Sequence, residues 1–161
     1  PRVLDERNAF IMQSMLRDVV KRGTGRRALV LERGDLAGKT GTTNDAADTW
    51  FNGFNSSLVA SVWVGFSDQN PLGSNAYGSN VPLPIWIDFM REALVDIPEL
   101  LPSQPAGIVT LKVDPKTGEA VSPSNPQGIS EIFLAETAPT VEEGNNQGSG
   151  EQESIRAVDL F

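Results

Sequence analysis

Residues 36–66 leave the chain few options. Three segments rich in Thr, Val, Trp and Phe, at 36–43, 49–54 and 58–66, are separated by Asn44-Asp45-Ala46-Ala47 and Asn55-Ser56-Ser57. β-branched and aromatic side chains suit a pleated surface. Asn, Asp and Ser suit turns, because their side chains bond their own backbone. Connections this short join antiparallel neighbours, since parallel strands need a long crossover. The expectation is an antiparallel sheet. In the third segment Leu58, Val59, Ala60, Val62, Trp63 and Val64 are apolar on both faces. That pattern predicts a central strand buried on both sides. Trp50, Trp63 and Trp86 are assigned to the core.

Helices flank this unit. Asp5 is a candidate N-cap, and Met12, Met15, Leu16 and Val19 form a stripe at i, i+3, i+4 and i+7. The spacing predicts an amphipathic helix over 6–22, with Gly23 at the C′ position. Gly23-Thr24-Gly25 reads as a hinge, and 28–31 as one further helical turn. After a loop over 67–81, Pro82 and Pro84 open a second helix. Its apolar face is Ile85, Trp86, Phe89, Met90, Ala93 and Leu94, and it should cover one face of the sheet. Residues 108–113 and 119–121 are expected to form a small hairpin around Asp114–Gly118. Residues 129–135 are an apolar segment expected to dock back onto the domain. From Glu136 the composition turns to Glu, Asn, Gln, Gly and Ser, and 136–154 is expected to be a disordered tail.

The first strand holds the residues best suited to chemistry. Lys39 supplies a fixed charge and three donors, and Thr40 and Thr42 supply hydroxyls that donate or accept. Gly41 lacks a Cβ and admits a close backbone. Together with Thr43 they suit a ligand that carries a carboxylate and lies along a strand edge. By composition alone, Lys39 is also a strand-edge lysine of the kind that discourages aggregation. Asp45 and Asp48 fall in a turn, where capping accounts for them.

Composition narrows the chemistry. The sequence has no Cys and no His, which excludes disulfides, thiol catalysis and Ser-His-Asp triads. The net charge of −8 is uneven: nine of the 13 basic side chains, but only five of the 21 acidic ones, fall in residues 1–40. A basic region leading into Lys39 favours an anionic ligand, while for most of these arginines a solvated helix face accounts for the charge equally. The acidic remainder argues against nucleic acid.

Lys39-Thr40-Gly41 lies within Asp35-Leu36-Ala37-Gly38-Lys39-Thr40-Gly41-Thr42-Thr43-Asn44-Asp45. Asp48-Thr49-Trp50-Phe51-Asn52-Gly53-Phe54 and Val62-Trp63-Val64-Gly65-Phe66 follow it. Upstream stand Met15–Val20 and Gly23-Thr24-Gly25-Arg26-Arg27-Ala28, and downstream Pro84–Met90. These stretches, over about residues 3–135, resemble bifunctional (class A) penicillin-binding proteins, most closely their 1A type. The resemblance implies an α/β (α+β) fold of the β-lactamase/transpeptidase type, an antiparallel sheet packed by helices. It implies the C-terminal part of a transpeptidase domain over 1–102, a hairpin extension over 103–135 and an acidic tail over 136–161.

The implied activity is D-Ala-D-Ala transpeptidation, with peptidoglycan stem peptides or β-lactams as ligands and no metal or organic cofactor. Lys39 and Thr42 would be catalytic, and Thr40, Gly41, Thr42 and Thr43 would bind substrate. The pattern departs at one point: no serine here has a lysine three residues later, and no S-x-N occurs. The resemblance therefore implies a fragment, inactive alone, whose partner is the upstream part of the same protein carrying the S-x-x-K serine and the S-x-N motif. A glycosyltransferase domain and an N-terminal anchor would also lie upstream, on the periplasmic face of the inner membrane. A β-lactamase or carboxypeptidase fragment, or a noncatalytic module binding the cell wall, remain alternatives.

Overall fold

A computed structural model describes residues 3–140. The described residues divide into two compact units, one over 12–103 and one that holds 3–11 and 104–140.

The larger unit holds a three-stranded antiparallel sheet in the order β1-β2-β3, with β1 at Ala37–Thr42, β2 at Asp48–Phe54 and β3 at Val59–Gly65. The register pairs Gly41 with Trp50 and Trp50 with Trp63. The expected antiparallel sheet is present, but its centre is β2. In β2 burial alternates, with Thr49, Phe51 and Gly53 on the inner face. The expectation that β3 is the doubly buried central strand is corrected. Among the described residues β3 is an edge strand, with Val59 76% and Trp63 47% exposed. Its inward residues Ala60 and Val62 pack on the core, while its outward row faces solvent. An apolar run records which faces could be buried, and not which ones a neighbour covers. Trp86 is buried as expected, whereas Trp50 and Trp63 form an exposed tilted pair with ring centroids 6.2 Å apart.

Helix α2, Pro82–Ala93, covers the inner face. Its buried residues are Pro82, Leu83, Trp86, Ile87 and Met90, with Leu94 just beyond the helix. Ile85 and Phe89, expected on the buried face, are half exposed. The stripe is rotated because Trp86 sets it. Its indole meets Phe51 edge-on at 5.0 Å and its Nε1 donates to the Ala60 carbonyl. Gly53 makes room for that indole: a Cβ there would lie 2.5 Å from the Trp86 ring. Burying each such aromatic contributes about 3 kcal/mol. A 3-10 helix at Arg26–Leu31 contributes Ala28 and Leu31 to the same core.

Helix α1 runs over Glu6–Lys21. Asp5 caps it, its Oδ1 accepting from the Arg7 N–H at 2.9 Å. Val20 is the one fully buried residue of α1, and Met12 and Met15 of the expected stripe are exposed. Gly23 does not adopt the left-handed C′ conformation. It serves close packing instead: a Cβ there would meet the Val19 Cα at 2.9 Å.

In the smaller unit β4, Ile108–Val113, pairs antiparallel with β5, Ile129–Leu134. The turn at Asp114–Gly118 forms, with Gly118 N donating to Asp114 O at 2.8 Å and Gly118 at φ 74°. The expected partner 119–121 contributes only an isolated bridge, Val113 to Ala120. The longer apolar segment wins the ladder, because six pairs outweigh one. Glu136 accepts from Arg7 Nη1 at 2.8 Å. The expected tail lies mostly outside the described residues.

Candidate active site

β1 is held at its start by a buried ion pair. The Asp35 side chain is fully enclosed, and Arg33 grips it with Nε and Nη2 at 2.9 and 2.8 Å. Arg33 Nη1 also donates to the Ile97 carbonyl at 2.7 Å. Asp35 Oδ2 further accepts from Asn55 Nδ2 and the Leu100 N–H. Burial opposes the Asp35 charge, but these hydrogen bonds outweigh it and hold the carboxyl below its ordinary value. Three segments thus meet two residues before β1 begins.

Along the strand, Ala37 and Gly38 are buried and Lys39 is exposed. Its Nζ donates to the Thr40 carbonyl at 2.9 Å. The Thr40 hydroxyl lies 2.8 Å from that of Thr24. The Thr42 hydroxyl accepts from the Gly78 N–H at 3.1 Å. Thr43 turns elsewhere: its Oγ1 accepts from Asp48 N at 2.8 Å and donates to Asp48 O. Its hydroxyl belongs to the turn.

Backbone direction decides what the edge offers. Thr43 N donates to Asp48 O at 3.0 Å, so that pair is hydrogen-bonded across β1 and β2. Pairs alternate with a period of two. The N–H groups of Lys39 and Gly41 therefore face β2, and those of Thr40 and Thr42 face the free edge. Among the described residues no strand covers that edge. Gly41 leaves it open, and a Cβ there would meet nothing closer than the Trp50 Cβ at 3.2 Å.

The structure thus groups Lys39, Thr40, Gly41 and Thr42 along one strand, and gives Thr43 to the turn. Two residues escaped the sequence reading, Thr24 and Gly78. In the sequence Thr24 falls in the hinge-like stretch Gly23-Thr24-Gly25. Its hydrogen bond to Thr40 brings the segment holding Lys21, Arg22, Arg26 and Arg27 alongside β1, where the excess of basic charge favours an anion.

The sequence model of the penicillin binding protein transpeptidase domain matches residues 2–90. The chain belongs to the penicillin-binding protein transpeptidase family. It is 52% identical over 165 residues to Penicillin-binding protein 1A of Pseudomonas aeruginosa, covering 99% of this chain and 20% of that protein. Penicillin-binding protein 1A of Neisseria lactamica is 46% identical over 68% of this chain and 14% of its own length. The crystal structure of Penicillin-Binding Protein 1A from Haemophilus influenzae superposes with a TM-score of 0.79 at 38% identity, over 88% of this chain and 22% of that one. The chain thus spans about a fifth or less of the length of these relatives. The mixed α/β fold expected from the sequence is that of this structural neighbour, and residues 2–90 are a stretch of a transpeptidase domain.

Proposed function

We propose that this chain is the C-terminal part of a serine D-Ala-D-Ala transpeptidase domain in a bifunctional peptidoglycan synthase. The nucleophilic serine, in S-x-x-K, and the S-x-N motif lie in an upstream part of the same protein. A glycosyltransferase domain and a membrane anchor also lie upstream, which puts the site on the periplasmic face of the inner membrane.

The observation that carries this reading is the free edge of β1, where the Thr42 N–H points outward beside the Lys39 charge. The reaction is acyl transfer in two steps. The serine attacks the penultimate D-Ala carbonyl of a donor stem peptide, and the carbonyl oxygen gains negative charge. The N–H groups of Thr42 and of the serine stabilise it, and one such donor is commonly worth about 3 kcal/mol. The C–N bond breaks and D-Ala leaves with a proton. An amine of a second stem peptide then displaces the serine and forms the cross-link. Thr40 and Thr42 bind the terminal carboxylate, Gly41 admits the ligand backbone, and Thr43 shapes the turn that ends the strand. Lys39 raises the local positive potential and assists proton transfer. A β-lactam acylates the same serine and meets the same edge.

The test is Lys39→Ala in the whole protein. A change at an exposed lysine alters stability by about 0.5 kcal/mol or less. Acylation by a β-lactam and release of D-Ala should both fall by about a hundredfold, the scale of acid–base and electrostatic terms. Near-normal rates would return Lys39 to the role of a solvated edge lysine.

A further inference from the structure

We propose that Gly78 is a positioning residue for this reaction, its N–H fixing the Thr42 hydroxyl as a donor to the ligand carboxylate. The inference rests on the carboxylate-binding role proposed above. A threonine hydroxyl has one proton and two lone pairs, and a carboxylate only accepts. Left to itself the hydroxyl can turn either a proton or a lone pair toward a ligand, and a lone pair facing a carboxylate repels it. The Gly78 N–H, 3.1 Å from Thr42 Oγ1, occupies a lone pair. With that lone pair taken, the proton turns away from the loop, and Thr42 is an exposed residue.

The donor itself is held firmly. Asn80 Oδ1 accepts from the Tyr77 N–H at 2.8 Å, and the N–H groups of Asn80 and Val81 both reach the Tyr77 carbonyl. The Gly78 carbonyl accepts from the Leu83 N–H at 3.3 Å, which ties the turn to the first residues of α2. Leu83 and Trp86 are fully buried, so the core of the unit fixes the aim of the Gly78 N–H. The position also requires glycine. A Cβ there would lie 2.5 Å from the Trp50 carbonyl oxygen, 2.8 Å from that of Gly41 and 2.9 Å from the Thr40 Cβ. Two of these atoms are backbone of the sheet and cannot swing aside. The φ of Gly78 is not positive, so close approach is the reason for the residue. An alanine would push the loop off β1 and take its N–H from Thr42.

The experiment measures acylation of the whole protein by a penicillin and by its methyl ester, which lacks the carboxylate charge. It uses Gly78→Ala, Thr42→Val and the double variant. Each single change should slow acylation by the acid about tenfold, the effect of one lost or misdirected hydrogen bond. The double variant should be no slower than Thr42→Val, and Gly78→Ala should spare the ester. Asn80→Ala loosens the same turn without adding an atom. It should give a smaller loss of the same pattern, and it decides the matter where Gly78→Ala fails to fold. Equal losses on acid and ester, or additive losses in the double variant, would overturn the positioning role. So would normal rates in the Gly78 and Asn80 variants with Thr42→Val still slow. A normal rate in Thr42→Val would overturn the carboxylate-binding role of Thr42 itself, and that of Gly78 with it.

Discussion

Gly41 lies within β1, has no positive φ and stands opposite Trp50 in a regular ladder. Strand propensity alone would favour a β-branched residue there, by up to about 1 kcal/mol. A Cβ at that point needs the Trp50 side chain, itself half exposed, to yield a few tenths of an ångström. Gly41→Val in the whole protein should therefore shift stability by no more than about 1 kcal/mol. It should also all but abolish acylation by a β-lactam, since the branched side chain stands where the ligand backbone would lie. A large loss in melting temperature with near-normal acylation of the folded protein would mean the glycine serves packing alone. Lys39, Thr40, Gly41 and Thr42 were legible because a short motif and its surroundings name them. Thr24 and Gly78 were not, because their partners stand 16 and 36 residues away and a hydroxyl or an N–H leaves no periodic trace.

At the scale of elements, two features position β1. The first is the fit of α2 on β2. Gly53→Ala should destabilise the protein by about 1–3 kcal/mol, because the added carbon overlaps the Trp86 indole in a filled core. Its melting temperature should fall, and Gly53→Ser should be no better. The second is the Arg33–Asp35 pair at the strand's entry. Asp35 has a lowered pKa when folded, so the unfolded chain binds its proton more readily. Its stabilising contribution is complete above the unfolded carboxylate pKa of about 4 and is lost as pH falls through the lower folded value. Asp35→Asn leaves the Arg33 charge buried with only part of its partners, which costs about 3–5 kcal/mol at neutral pH. The stability gap between wild type and Asp35→Asn should narrow as urea midpoints are followed from pH 7 down to pH 3. A gap independent of pH would show that the carboxylate charge contributes nothing. Sequence patterns gave both helices and all three strands of the larger unit. They erred where coverage mattered: Met12, Met15, Ile85, Phe89 and Val59 are apolar at apt spacing yet exposed. Periodicity reports what a face could bury, and the neighbour that would bury it is a separate fact.

For the whole molecule, the stretches around Lys39-Thr40-Gly41 resemble the family, and the matches to residues 2–90 and to the Haemophilus influenzae structure agree. The smaller unit was less legible. Its ladder joins segments separated by the 15 residues between Val113 and Ile129, and a nearer hairpin competed for the same strand in any local reading. On the proposed account, the exposed outward row of β3, with Val59 and Trp63, and the free edge of β1 are surfaces that the upstream part of the protein completes. On that same proposal the chain alone would hold a binding edge, an oxyanion donor and a charge, with the nucleophile upstream. Labelling with a fluorescent penicillin tests this most directly, using residues 1–161 alone and the whole protein side by side. The account predicts covalent label on the whole protein, at a serine upstream of Pro1, and none on residues 1–161. Stable label on the isolated chain, or label on the whole protein mapped within these residues, would contradict it.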